Sequence, residues 1–163
     1  MIRGSCLCGA VKFEVIRFVG PFELCHCSRC RKATGSAFAP MIGVEASDFT
    51  WVSGREEVVS FEAPVIEQPP GFQTSFCRHC GCAMPSHDAA EGWFEIAAGV
   101  LDDDPGILPD RHIFVDCGPS WYDVTDDLPQ LTRKELIRMR IAEMKHAREN
   151  SSGASAHREE GKK

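Results

Sequence analysis

Along residues 10–16, Val11, Phe13 and Val15 alternate with Lys12, Glu14 and their neighbours. That is the two-residue period of a strand burying one face and wetting the other. Comparable short runs at residues 37–44, 49–52, 57–61, 73–76, 94–98 and 112–115 are bounded by Gly, Pro, Asp or Ser, as turns require. Short strands spaced in this way predict a mostly β protein built from antiparallel sheets. The Pro- and Gly-containing stretch 67–71 and the Asp-rich stretch 102–106 read as loops within one domain, not as boundaries between two.

The period changes near the end of the chain. Thr132 with Glu135 three residues on forms a capping box, and Ile137, Ile141 and Met144 fall on one face of a helix expected over residues 132–149. This face is expected to pack on the domain formed by residues 1–131. Residues 150–163 carry no apolar period and are expected to form a disordered tail.

The chain has 163 residues, enough for one domain with its own core. No apolar run approaches a membrane span, and Met1, Ile2, Arg3 and Gly4 lead into a cysteine motif without the apolar stretch of a signal peptide. A cytosolic protein with no membrane partner is expected. The net charge of −6 argues against a nucleic-acid surface, which needs a concentrated excess of Lys and Arg. The most basic segment, residues 133–145, is interleaved with Glu135 and Glu143, as on a solvated helix face.

The cysteines change the picture most. Cys6 and Cys8 form one cluster, Cys25, Cys27 and Cys30 a second, and Cys77 and Cys80 a third, with Cys82 two residues further on and Cys117 apart. Thiolates one or two residues apart can turn onto one small tetrahedral ion, whereas a Cys-x-Cys pair closes a disulfide only with strain. In a reducing compartment such spacing points to metal. The simplest assignment joins Cys6, Cys8, Cys77 and Cys80 in a closed structural site. Cys25, Cys27 and Cys30 then supply three ligands and leave a fourth position for water or substrate. The second site could instead be closed by His26, His79, Cys82 or Cys117. His26 and His79 sit between ligands, where their side chains are expected to turn away from the metal. His87, His112 and His146 carry weaker signals.

Three ordered motifs carry a resemblance. The run Gly4, Ser5, Cys6, Leu7, Cys8, Gly9 comes first. Cys25, His26, Cys27, Ser28, Arg29, Cys30, Arg31 and Lys32 follow, with Gly35 and Ser36, and then Phe76, Cys77, Arg78, His79, Cys80 and Gly81. Together they resemble the glutathione-dependent formaldehyde-activating enzyme family, also called the centromere protein V/GFA domain. Residues 99–103 and 112–115, ahead of Trp121, resemble its later strands, so the likeness spans about residues 2–131.

The resemblance implies an Mss4-like β-tent with two zinc ions per chain. Cys6, Cys8, Cys77 and Cys80 would hold a structural zinc. Cys25, Cys27 and Cys30 would hold a catalytic one. It also implies a carbon-sulfur lyase joining a small thiol, glutathione in the family's named reaction, to a small aldehyde, formaldehyde, as S-hydroxymethylglutathione. Cys82 and Cys117 are additional to the pattern. Arg29, Arg31 and Lys32, beside the second cluster, are candidates for holding the carboxylates of such a thiol. A non-catalytic zinc-binding interaction module of the same fold is the alternative.

Overall fold

The computed structural model describes residues 1–64, 71–86 and 92–156. Of the expected 67–71 loop only Gly71 is among them, and His87 lies outside them. The protein is mostly β, as the alternation leads one to expect. Three strands, β1 (Ile2–Ser5), β2 (Lys12–Val15) and β5 (Phe49–Ser53), form an antiparallel sheet in the order β1-β2-β5. A hairpin of β6 (Val58–Ala63) and β7 (Phe72–Cys77) stands apart. The largest sheet has the order β10-β9-β3-β4-β8, from β3 (Phe22–Cys25), β4 (Ala39–Glu45), β8 (Trp93–Ala97), β9 (Arg111–Ile113) and β10 (Gln130–Leu131). Its β3-β4 and β4-β8 ladders are antiparallel. The β9 strand runs parallel to both β3 and β10, because the chain returns to β3 only after the excursion through β8.

Phe13, Val15, Val44, Phe49, Phe94 and Ile96 make the main core between the three- and five-stranded sheets. Phe13 stacks on Phe49 at 5.4 Å between ring centroids, and Phe94 meets Phe49 edge-on at 5.2 Å. Gly4, opposite Phe13 in the β1-β2 ladder, leaves the space that the Phe13 ring fills, and a Cβ there would strike it.

Two elements escape the periodicity argument for a physical reason. Strand β3 is buried along its whole length between β9 and β4, so Phe22, Glu23, Leu24 and Cys25 show no alternation. The short helix α1 (Ser28–Thr34) buries no residue and so carries no apolar stripe. Gly35 ends it at φ 65, where its N–H returns to the Arg31 carbonyl.

The terminal helix α2 spans Arg133–Ala156, past residue 149 where the sequence pattern ends it, and residues 157–163 lie outside the described residues. Its capping box is present: the Thr132 N–H donates to Glu135 at 2.8 Å, and the Glu135 N–H to the Thr132 hydroxyl at 3.4 Å. The buried face is a correction to the sequence reading. Leu136 (2% exposed) and Met139 pack beside Cys25 and Ile113, while Ile137, Ile141 and Met144 are 51%, 44% and 56% exposed. The inward stripe runs through Leu136, Met139 and Arg140, because the sheet offers an acid, Glu23, for Arg140 to meet. Among the described residues, no helix is long and apolar enough to cross a membrane.

Candidate metal centre

The sulfurs of Cys6, Cys8, Cys77 and Cys80 lie within 4.8 Å of one another. Cys6 follows β1, Cys77 ends β7, and Cys8 and Cys80 sit in the turns beyond. The Cys6–Cys8 and Cys8–Cys77 sulfurs are 3.5 and 3.8 Å apart. A tetrahedral zinc with bonds of about 2.3 Å needs sulfur-sulfur edges of about 3.8 Å, so the four residues fit that ion. Such a closed site would tie the three-stranded sheet to the β6-β7 hairpin.

Backbone donors prepare this cluster. Burial works against the Cys6 thiolate, but the Val11 N–H at 3.2 Å and the Cys8 and Cys77 thiols outweigh it and bring Cys6 down to about 6. At Cys80 the Cys82 N–H is the largest of the effects that favour the thiolate. The Ala10 N–H favours the Cys8 thiolate too, yet hydrogen bonding to Cys6 and burial prevail and push Cys8 up to about 12. High and low neighbours are the signature of thiols sharing protons, which a dication would replace.

Cys25, Cys27 and Cys30 form the second group within 4.8 Å, and no fourth His, Cys, Asp or Glu among the described residues joins it. Cys25 closes β3, Cys27 is the N-cap of α1, and Cys30 lies in its first turn. The Cys27 sulfur accepts the Cys30 N–H at 3.3 Å. Hydrogen bonds from the Cys25 and Cys30 thiols, and then from backbone N–H groups, hold Cys27 far below the ordinary thiol range. Its partners bear the cost of that shared charge: hydrogen bonding to Cys27 pushes Cys25 up to about 12, and Cys25 and Cys27 raise Cys30 further. Three thiol donors in a knuckle of this kind fit a soft ion with one open position.

The remaining candidates fall elsewhere. His26 is buried and turns away from the sulfurs. Its Nε2 lies 2.8 Å from His112 Nδ1, and His112 Nε2 is 3.1 Å from both carboxylate oxygens of Asp126. Rings of Phe38 and Tyr122 flank the histidine pair. His79 pairs with Glu57 at 2.8 Å on the surface. Arg31 is committed to the carbonyls of His26 and Cys117, at 3.2 Å each, and Lys32 is exposed. Cys82 packs against the main core, its thiol shifted up by burial, and serves the first cluster through its backbone N–H.

A cavity of about 590 Å³ opens beside the second cluster. Cys25, Cys27, Cys30 and Cys117 line it, and Arg29, Arg133 and Arg140 reach it. Glu23 lies in its wall, fully buried, with Arg111 Nε donating to Oε1 at 2.9 Å and Arg140 Nη2 to Oε2 at 2.8 Å. Glu95 also lines the cavity, its carboxyl raised first by burial and then by Glu23, with Arg140 opposing. Sequence reasoning missed Glu23, Asp126 and Arg140, and gave His112 only a weak signal. The one available signal was Glu23 itself, an acid inside an apolar strand that must find cations when buried. Those cations, Arg111 and Arg140, lie 88 and 117 residues away.

Comparison with known proteins follows the same residues. A family model described as glutathione-dependent formaldehyde-activating enzyme matches residues 1–117. A curated Halomonas elongata protein, provisionally named a glutathione-dependent formaldehyde-activating enzyme, is 32% identical over 76% of this chain and 81% of its own length. A crystal structure of a Rhodobacter sphaeroides protein covers 80% of this chain and 99% of its own, with 23% identity and a TM-score of 0.46.

Proposed function

Because the chain belongs to the glutathione-dependent formaldehyde-activating enzyme family, we propose that it is a zinc-dependent carbon-sulfur lyase that joins a small thiol to a small aldehyde, or separates them. Glutathione and formaldehyde are the proposed pair, and S-hydroxymethylglutathione the product. The observation that carries this reading is the three-sulfur cluster with no fourth protein ligand among the described residues, opening onto the 590 Å³ cavity. A structural zinc on Cys6, Cys8, Cys77 and Cys80 and a catalytic one on Cys25, Cys27 and Cys30 complete the proposal. A reducing, cytosolic setting suits both.

In the reaction the thiol proton leaves to solvent, the sulfur bonds to the carbonyl carbon, and the carbonyl π pair moves to oxygen, which takes a proton from water. Reversal cleaves the same carbon-sulfur bond. Zinc held by three cysteinates would supply a position that favours loss of the thiol proton and keeps the sulfur as a thiolate. The protein holds the three sulfurs in a fixed knuckle: Cys27 against the Cys30 N–H, and the Cys25–Cys27 turn by the buried His26–His112 contact. The cavity gives the thiol's body a place to lie.

Carbon-sulfur exchange followed by NMR tests this, with zinc content measured and an enzyme-free control. Wild type should exceed the control and hold two zinc ions. Cys27→Ser should lose both the acceleration and one zinc. An unchanged exchange rate in Cys27→Ser would sink the catalytic reading. The alternative is a non-catalytic interaction module, favoured by the exposed Ile137, Ile141 and Met144 on α2. Zinc-replete wild type with no acceleration for any thiol and aldehyde pair would leave that reading standing.

A further inference from the structure

The chain is acidic overall, yet the cavity beside the three-cysteine cluster is reached by three arginines. Two of them, Arg133 and Arg140, come from α2, beyond the segment that the family model matches. Helix α2 is seated firmly there. Leu136 packs with Cys25 and Ile113, and Arg111 Nη1 lies 3.2 Å from the Met139 sulfur. Arg140 is half-exposed, 48%, and is anchored by one nitrogen to the buried Glu23. Arg111 occupies the other oxygen of the same carboxylate. Two guanidinium groups around Glu23 leave a positive charge in excess of that one carboxylate, and the Arg140 side of it faces the cavity. Burial disfavours the charged form of Glu95, the other acid in the same wall.

Position along the strand sets a distance. Glu23 precedes Cys25 by two residues on β3, so both side chains leave the same face of the sheet, about 7 Å apart at the backbone. A thiol whose sulfur reaches the three cysteines, with its body along this wall of the cavity, would meet Glu23 and Arg140. We propose that Arg140, supplied by the terminal helix and anchored on Glu23, is the specificity-determining residue of the cavity: it receives a carboxylate of the thiol substrate and selects anionic thiols over neutral ones. This rests on the thiol-aldehyde reading above and assigns a substrate contact to the element that the family model leaves out.

The test uses the full-length, zinc-loaded chain with formaldehyde and two thiols, glutathione and the uncharged N-acetylcysteamine. The readout is the ratio of their kcat/KM values, which a general loss of folding or of zinc does not move. Arg140→Gln should lower that ratio about tenfold or more, and Arg140→Lys should recover part of it. Calorimetric titration with S-methylglutathione, which keeps the carboxylates but blocks the sulfur, should show correspondingly weaker binding to Arg140→Gln. An unaltered ratio in Arg140→Gln, or undiminished S-methylglutathione binding, overturns the assignment while leaving the lyase reading intact. If wild type accelerates exchange for no thiol, the lyase reading falls, and the calorimetry alone decides whether Arg140 holds the anion.

Discussion

The four-cysteine and three-cysteine clusters use the same donor atom and nearly the same local spacing, but they are supported differently. Around Cys6, Cys8, Cys77 and Cys80 the supporting groups are backbone N–H donors from Val11, Ala10 and Cys82, all within a few residues of the sulfurs they serve. Around Cys25, Cys27 and Cys30 the Cys30 and Arg29 N–H groups support Cys27 locally, but further support comes from far along the chain: His112 and Asp126 behind His26, and Leu136 of α2 against Cys25. A four-sulfur cluster supported by its own turns alone suits the proposed staple. A cluster whose surroundings converge from β3, β9 and α2 has a cavity beside it and contacts that can be altered one at a time.

The largest expected effect follows from that difference. Cys77 is fully buried at the point where the hairpin meets the three-stranded sheet, and a structural zinc site contributes on the order of 10 kcal/mol to folding. Cys77→Ser should therefore abolish cooperative thermal melting, whereas Cys27→Ser should melt within several degrees of wild type. Equal damage from the two would overturn the proposed division into staple and reactive site. Leu136→Ala should cost about 2–4 kcal/mol in denaturant unfolding by opening a void between α2 and the Cys25 strand.

A smaller effect sharpens the comparison at the second cluster. His112→Ala leaves His26 Nε2 buried without its partner, at a cost of about 1–3 kcal/mol. Chelator competition should show weaker zinc retention by the three-cysteine cluster and none of that change at the four-cysteine cluster. Equal weakening at both would mean that the histidine pair only holds the fold. The smallest effect is at the start of α2, where Thr132→Ala should cost about 1 kcal/mol in thermal unfolding. The Glu135 carboxylate is held below its ordinary range by the Thr132 hydroxyl and N–H. A depressed folded-state value means that this stabilisation is present above the ordinary glutamate range and is lost as pH falls through the folded value. The gap between wild type and variant should therefore narrow in acid to what the capping bond from the Glu135 N–H contributes.

Much of the β architecture is legible in the sequence wherever one strand face is wet. The alternation of Val11, Phe13 and Val15 places β2 within a residue or two. The same signal fails at β3, where burial on both faces removes alternation. It misleads on α2, where the apolar stripe of Ile137, Ile141 and Met144 is exposed and the inward face includes Arg140.

The sequence by itself determined which cysteines can share an ion within each turn, because residues two or three apart are held within reach by chain geometry whatever the rest of the protein does. The three ordered motifs likewise carried the family. Only the tertiary structure decided that Glu23 meets Arg111 and Arg140, and that Asp126, His112 and His26 line up behind the three-cysteine cluster. Those partners depend on the parallel register of β9 against β3 and on where α2 lands. A shift of one residue in that register would turn each side chain to the opposite face of the sheet.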